Sequence, residues 1–238
     1  MPVTLLAEDG ISIEPSCYSR LVNKWYCTDY LKDRHHDLTS AMWQHLQLTA
    51  WALLLGIIIA FPLALLARRL PRLQGLILGS ATMIYTIPSL ALFPLLVPFT
   101  GISGKAVIIG LALYALTILV RSMLSGLTGV PEEVRESARG LGYGGTRLLF
   151  RVELPLALPV IMAGLRVATV STVALTTVGA LVSYGGLGNL IQDGVQNDFK
   201  AEILAASVLC VVLAVALDAI IVGVQWAVTP WTHRRRLA

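Results

Sequence analysis

The stretch LQLTAWALLLGIIIAFPLALLA, residues 46–67, carries no charged side chain and decides the class of fold. A helix rising about 1.5 Å per residue covers roughly 30 Å over such a run, the thickness of a bilayer's hydrocarbon. Backbone groups in lipid must be hydrogen-bonded within the segment itself or around a closed barrel, and a continuous apolar run lacks the alternation of a barrel strand. Working outward, the pattern returns. Residues 73–104 are uncharged for longer than one straight crossing needs, with Pro88, Pro94 and Pro98 in the second half. This predicts a helix over about 76–96 that ends in a bent or re-entrant mouth, because each proline removes a backbone donor. Residues 106–123 make a third span, 159–182 a fourth interrupted by Arg166, and 203–226 a fifth interrupted by Asp218. The expected fold is all-α, a polytopic membrane protein of about five transmembrane helices.

Composition agrees. Hydrophobic residues make up 56% of the 238 and charged residues 13%, against roughly 25% charged in a soluble domain, which argues against a water-soluble fold. Mean hydropathy is +0.75. The arginines fall in groups: Arg68, Arg69 and Arg72 between the first two spans, Arg121, Arg135, Arg139, Arg147 and Arg151 between the third and fourth, and Arg234, Arg235 and Arg236 at the end. The short loops of the other side hold only Lys105 and Lys200. The positive-inside rule then makes the carboxyl terminus cytoplasmic and the amino terminus external. The net charge of +4 needs no nucleic-acid partner, since a basic tail flanking a membrane reads as a topology anchor.

Three regions follow: an extracytoplasmic extension over 1–42, a transmembrane domain over 43–228, and a cytoplasmic basic tail over 229–238. The extension mixes Glu8, Asp9, Glu14, Asp29, Asp33 and Asp37 with basic residues. It has neither the charged start nor the apolar core of a secretory signal, so it is expected on the mature protein. Outside the cytoplasm a disulfide between Cys17 and Cys27 is permitted, and both the bridged and the free state stay open. Cys210, in an apolar run, reads as packing. His35 and His36 are adjacent, a poor pair for one metal ion, and read as solvated; no metal site is expected.

Residues 124–158 form a polar island between spans three and four. Pro131 suits the first turn of a helix, and Glu132 and Glu133 suit the positive end of its dipole. Val134, Ala138 and Leu141 recur at helical spacing and make one small apolar face, with Arg135, Glu136 and Arg139 directed elsewhere. The small side chains of Ser137 and Ala138 let a partner's backbone approach, and glycines 140, 142, 144 and 145 allow positive φ for a sharp reversal. Thr146 is placed to cap a second short helix, whose Leu148, Leu149 and Val152 lean toward the membrane before Pro155 and Pro159 restart the fourth span. Gly140 to Gly145 also satisfies G-x-G-x-x-G. The dinucleotide fingerprint, however, needs a preceding strand and a downstream acid, and here an amphipathic helix precedes and a span follows. No G-x-x-x-x-G-K-[ST] phosphate loop occurs, so any ATP hydrolysis belongs to a partner.

Two charges inside spans need accounts. A charge at mid-membrane costs about 2.5–3.5 kcal/mol on insertion scales, and Arg166 and Asp218 fall at similar depth on antiparallel helices. A structural ion pair is expected, with a proton relay or a substrate contact as the alternatives. Tyr85, Phe93, Tyr114 and Tyr184 can present ring faces to a quaternary ammonium, or can serve as interfacial anchors and core packing.

Glu136-Ser137-Ala138, Gly142 after three residues, Val152 after nine more, then one residue and Leu154-Pro155 resemble the cytoplasmic coupling loop of ABC importer permeases. Ser137 stands for the family's first alanine and Val152 for its isoleucine. From about residue 43 to 226 the chain is similar to the compact five-span permeases of type I importers. Tyr85 to Leu92, which includes Pro88 and Ser89, resembles the second-span signature of osmoprotectant permeases, and residues 179–191 resemble the corresponding end of span four. Permeases for methionine and other small amine-bearing solutes have similar glycine-rich segments, so both substrate classes stay open.

The resemblance implies a transport subunit rather than an enzyme. Two permeases, identical or homologous, would form the pore in the cell membrane in contact with lipid. A cytoplasmic ATPase dimer would use ATP and Mg, and an extracytoplasmic binding protein would deliver glycine betaine, carnitine, choline or a related solute; this chain itself would bind no cofactor. Glu132, Glu133, Val134, Glu136, Ser137, Ala138, Gly142, Leu154 and Pro155 would couple to the ATPase, with Glu136, Ala138 and Gly142 transmitting its motion. Tyr85, Pro88, Ser89, Tyr114 and Tyr184 would line the pathway. An ATP-independent secondary transporter or channel, a membrane enzyme and a passive scaffold are the competing classes. An enzyme needs clustered catalytic groups at one interface, and the acids of the island fit docking better.

Overall fold

The first long helix begins well before its apolar run does. In the computed structural model, which describes residues 5, 6, 12, 13, 16–20 and 22–232, helix α2 runs from His35 to Arg69, after a short α1 over Thr28–Asp33. Asp37 favours its amino-terminal dipole and accepts a hydrogen bond from Arg34 at 2.9 Å, so the helix starts well before the first uncharged residue. The division expected at residue 42 therefore lies inside α2. Pro62 is carried inside the helix.

The second span is broken, but not where expected. Helix α3 covers Pro71–Thr86 and α4 covers Ser89–Thr100, with a 99° bend between them. Pro88 forces the preceding Ile87 out of helical geometry, to ψ 125°, and the break falls there. Pro94 and Pro98 sit inside α4 instead of ending it. Gly101, at φ 72°, stops α4.

Helix α5, Gly104–Thr128, is the centre of the bundle, with Val107, Leu111, Leu119, Val120 and Leu127 fully buried. It is reached at close quarters on both sides. Ala52, Gly56, Ala60 and Ala64 of α2 are all buried at four-residue spacing, and a Cβ on Gly56 would lie 3.1 Å from Leu119 and 3.5 Å from Ala115. On the other side, a Cβ on Gly126 would lie 3.0 Å from the carbonyl oxygen of Ala157, and one on Gly164 would fall on Ser122. Small residues allow this approach, which in lipid replaces the hydrophobic drive between helices.

The fourth span is one helical run with changing pitch: α7 over Gly145–Leu148, a π turn over Leu149–Glu153, α8 over Leu154–Thr176 and a 3-10 turn over Thr177–Val182. Pro155 and Pro159 do not restart it, contrary to expectation. In the π turn the Leu154 N–H reaches back to the Leu149 carbonyl, a wider step that relieves the clash a proline ring makes with the carbonyl four residues earlier. Ser183 at φ 61° and Gly186 at φ 57° then reverse the chain into α9, Leu187–Gln196, and α10 follows over Lys200–Val228. Among the described residues four helical runs are long and apolar enough to cross a membrane, or five if the bent α3–α4 pair counts as one span. The only strands among the described residues are the two-residue pair Leu5–Leu6 and Ser12–Ile13.

Residues 17–20 and 22–34 pack on the bundle rather than standing apart. Cys17 and Cys27 form a disulfide with Cα atoms 5.7 Å apart. Cys27, Tyr30 and Leu38 bury against Ala201 of α10, and the Tyr30 ring meets Phe199 edge-on at 5.1 Å. Asn23 donates to the Asp198 carbonyl at 2.6 Å and accepts from the Lys200 N–H at 3.1 Å, which clamps the α9–α10 turn. His35 is exposed, its Nδ1 2.7 Å from the Lys32 carbonyl. Cys210 is half-buried in α10. Glu8, Asp9, Glu14 and the Arg234–Arg236 tail lie outside the described residues.

Arg166 of α8 and Asp218 of α10 are joined by two hydrogen bonds, Nε to Oδ1 and Nη2 to Oδ2, both 2.8 Å. Removing one partner would leave a lone charge at membrane depth. Asp218→Ala is therefore expected to lower the amount of folded protein recovered from membranes, and Arg166→Leu added to it to restore that amount, as read by size-exclusion yield. Gly164→Leu is expected to wedge α5 from α8 and lower the melting temperature in detergent by about 5 °C. Gly223→Leu, at a position with nothing within 4 Å of a built Cβ, leaves it unchanged in the same scan.

Candidate functional site at the polar loop

Helix α6, Glu132–Gly140, stands at the end of the bundle where α2 and α5 finish and the fourth span begins. Pro131 precedes it in extended geometry, φ −57° and ψ 141°, and the helix opens on Glu132 and Glu133. Glu132 accepts from Arg135 at 2.8 Å and Arg139 at 3.0 Å, and the Arg135 hydrogen bond first of all holds its carboxyl below the usual glutamate range. Ser137 donates back to the Glu133 carbonyl at 2.7 Å, which spends its hydroxyl within the helix.

One face of α6 is left open. Val134, Ser137, Ala138 and Leu141 line a shallow depression with Tyr143 and Val152. Ala138 is buried at its floor, whereas Leu141 is 79% exposed at the rim. Glu133 borders the same depression, and Glu136 is exposed on the helix. The chain leaves α6 through a tight reversal: the Tyr143 N–H bonds the Ala138 carbonyl at 3.1 Å and the Leu141 N–H bonds the Ser137 carbonyl at 3.1 Å, with Gly142 at φ 82° between them. Of the four glycines expected to use positive φ, only Gly142 does; Gly144 has φ −71° and is the residue before α7. Thr146 lies inside α7 and does not cap it, because that helix starts at Gly145, two residues earlier than a cap at Thr146 would need. Arg147 covers the Tyr143 ring at 4.7 Å. Leu148 and Leu149 are buried, and Val152, Leu154 and Pro155 are half-buried where the loop joins the bundle.

Arg135, directed off the apolar face of α6, turns into the bundle. Its Nη2 donates to the Leu127 carbonyl at 2.7 Å, and its Nε lies 3.2 Å from Oε1 of Glu153. Glu153 is buried and also receives both terminal nitrogens of Arg68, the Nη1–Oε2 bond being 2.6 Å. This three-residue cluster was missed in the sequence. Its signal was a single acid, Glu153, set among Leu148, Leu149, Val152 and Leu154.

The residues expected along a pathway do not form one surface. Tyr85 and Tyr114 meet edge-on at 5.7 Å beside the α3–α4 break, and the buried Tyr114 hydroxyl donates to the Ile87 carbonyl. Pro88 is exposed and Ser89 half-buried at the same break. Phe93 is fully buried, its ring 2.6 Å from where a Cβ on Gly110 would stand, so it packs the core. Tyr184 packs with it in a separate apolar cluster around Leu48, Val107 and Leu111.

Residues 52–234 match the family of binding-protein-dependent transport system inner membrane components. The chain belongs to that family. It is 32% identical to the carnitine transport permease protein OpuCB of Listeria monocytogenes, over 84% of this chain and 92% of the relative. It is 35% identical to the osmoprotectant import permease protein OsmW of Salmonella typhimurium, over 84% and 96%. The choline transport system permease protein OpuBB of Bacillus subtilis is 29% identical over 86% and 94%. Among solved structures, an inward-facing MetNI methionine ABC transporter chain superposes with a TM-score of 0.75 at 22% identity, covering 83% of this chain and 99% of that one, which speaks to the fold. The protein is a multi-pass membrane permease subunit of an ABC importer, and a transport component rather than an enzyme.

Positive φ at Gly142 makes a sharp expectation for the loop. Gly142→Val should strain the reversal by about 1–2 kcal/mol and raise amide hydrogen exchange over 137–143 about tenfold. Gly144→Val, at a φ open to any residue, should leave that exchange unchanged.

Proposed function

We propose that this permease, paired with a second copy or a homologue, moves a small osmoprotectant such as glycine betaine, carnitine or choline into the cell at the expense of ATP hydrolysed by a separate cytoplasmic ATPase dimer. The observation that carries the docking part is the open apolar face of α6. A leucine 79% exposed at the carboxyl-terminal end of a largely charged helix, beside that helix's buried alanine, is a surface shaped for a partner. Support for the solute class comes from relatives named for carnitine, choline and osmoprotectant transport, matched over more than four-fifths of this chain. The break after Tyr85, with Pro88 and Ser89 at the bend, is where a pathway could open between α3 and α4.

In this reading α6 lies in a groove of the ATPase with Glu132, Glu133, Val134, Glu136, Ser137 and Ala138 toward it. Gly142 fixes the angle at which the helix is presented, and Leu154 and Pro155 pass its movement into α8. ATP and Mg stay with the ATPase. An extracytoplasmic binding protein meets the opposite end of the bundle, with the amino terminus outside and the carboxyl terminus cytoplasmic. The division into an external extension, a membrane domain and a basic tail follows that orientation, with α2 running across the first boundary. A second reading, an importer of an amino acid or another small amine-bearing solute, draws on the MetNI likeness and would keep the same docking geometry.

Leu141→Asp should leave the permease folded, since the side chain is exposed, and cut the ATPase recovered with it by at least tenfold. In sealed vesicles the wild-type importer should take up labelled betaine, carnitine or choline only with ATP on the ATPase side. Uptake driven by an ion gradient without ATP would instead mark a secondary transporter.

A further inference from the structure

We propose that Glu153 is a positioning residue: by holding Arg68 of α2 and Arg135 of α6 on one buried carboxylate, it makes the docking helix move as one body with the inner ends of the first and fourth spans. The proposal rests on the reading that α6 docks an ATPase.

The attachment of α6 to the rest of the chain is thin. Of its side chains only Ala138 is buried, while Glu132, Glu133, Val134, Glu136, Ser137 and Arg139 are exposed. Apolar packing therefore gives α6 little grip on the membrane helices. The firm connection is Arg135, whose side chain is 14% exposed and makes three contacts on three different elements. It bonds Glu132 at 2.8 Å in its own helix, the Leu127 carbonyl at 2.7 Å near the end of α5, and faces Glu153 at 3.2 Å in the π turn.

Glu153 completes the link. It is 2% exposed, and its two oxygens also take the two terminal nitrogens of Arg68, the last residue but one of α2. A carboxylate shared by two guanidiniums away from water is stable only while both stay with it, because a buried charge without its partner is far costlier than an exposed one. A push on α6 then moves α2 and the start of α8 before it breaks the cluster. The residue sits in the last position of the π turn, the kind of helix irregularity that is frequent at functional sites, directly before α8.

The test uses the complete importer, with permease, ATPase and binding protein, in proteoliposomes with ATP on the ATPase side. The quantity read is labelled solute taken up per ATP hydrolysed. Glu153→Gln keeps the shape and removes the charge; the expected result is at least a fivefold fall in that ratio, with Glu153→Asp recovering half or more of the loss. A merely structural role would lower uptake and hydrolysis in proportion, and an unchanged ratio in Glu153→Gln overturns the proposal. Should that variant fail to accumulate, Arg68→Gln read in the same way decides it, a ratio within twofold of wild type being the overturning result. ATPase missing from the purified wild-type complex would overturn the docking reading as well, and is seen on the gel before any ratio is measured.

Discussion

Close contact between α5 and its two neighbours is the constraint on which the rest of the structure depends. Lipid tails are as apolar as leucine, so membrane helices gain little by hiding apolar side chains from them and must gain by fitting backbone against backbone. Here the fit is made by Ala52, Gly56, Ala60 and Ala64 against one side of α5 and by Gly126 and Gly164 at the other seam. The consequence reaches both ends of the bundle. At one end α2, α5 and the fourth span converge so tightly that Arg135 reaches both the Leu127 carbonyl and Glu153, while Arg68 bonds the same Glu153 carboxylate. At the other, the buried His45 of α2 places its Nε2 3.0 Å from the Val173 carbonyl, just where α8 tightens into its 3-10 turn.

Polar ties within the bundle are laid along the same seams. Thr49 and Thr176 pair across α2 and the fourth span at 3.2 Å, and Thr117 of α5 reaches the Ala81 carbonyl of α3 at 2.7 Å. Thr169, Thr172 and Thr176 each return their hydroxyl to the carbonyl four residues back, which satisfies them inside their own helix. With no water at this depth such groups would otherwise be costly, so each hydroxyl both fixes a helix face and avoids a penalty.

Sequence reading reached the fold because its signals were local. An uncharged run such as 46–67 has one physical meaning in lipid, and the spacing of Glu136, Gly142 and Leu154-Pro155 survives any uncertainty about helix ends. What it misplaced depended on neighbours. The bend of the second span was put too late because Pro94 and Pro98 look like breakers, yet the residue excluded from the helix is Ile87, ahead of Pro88. Pro155 and Pro159 seemed to begin a helix, because nothing in their neighbourhood announces the π turn that lets the helix run through them. The partners of Arg135 were not legible, since they stand eight residues before it and eighteen after and are brought to it only by the folded bundle. Phe93 was left open between a ring face for a ligand and core packing, and the space beside Gly110 shows that it packs the core.

The outer faces of α3, α4 and α10 complete the argument. Leu76, Met83, Leu90 and Phe99 are exposed on the bent second span, and Val211, Val212, Val215 and Ile220 on α10. In water so much apolar surface would drive aggregation; beside lipid it costs nothing, and it leaves these helices free to slide against whatever covers them. The molecule thus has an inner seam, where α2, α5 and α8 are locked by small residues, and a periphery that faces lipid or water. Helix α6 belongs to the periphery by packing and to the seam by charge: few apolar contacts leave its face open, while one arginine ties it to a carboxylate that the seam cannot release without leaving a buried charge alone.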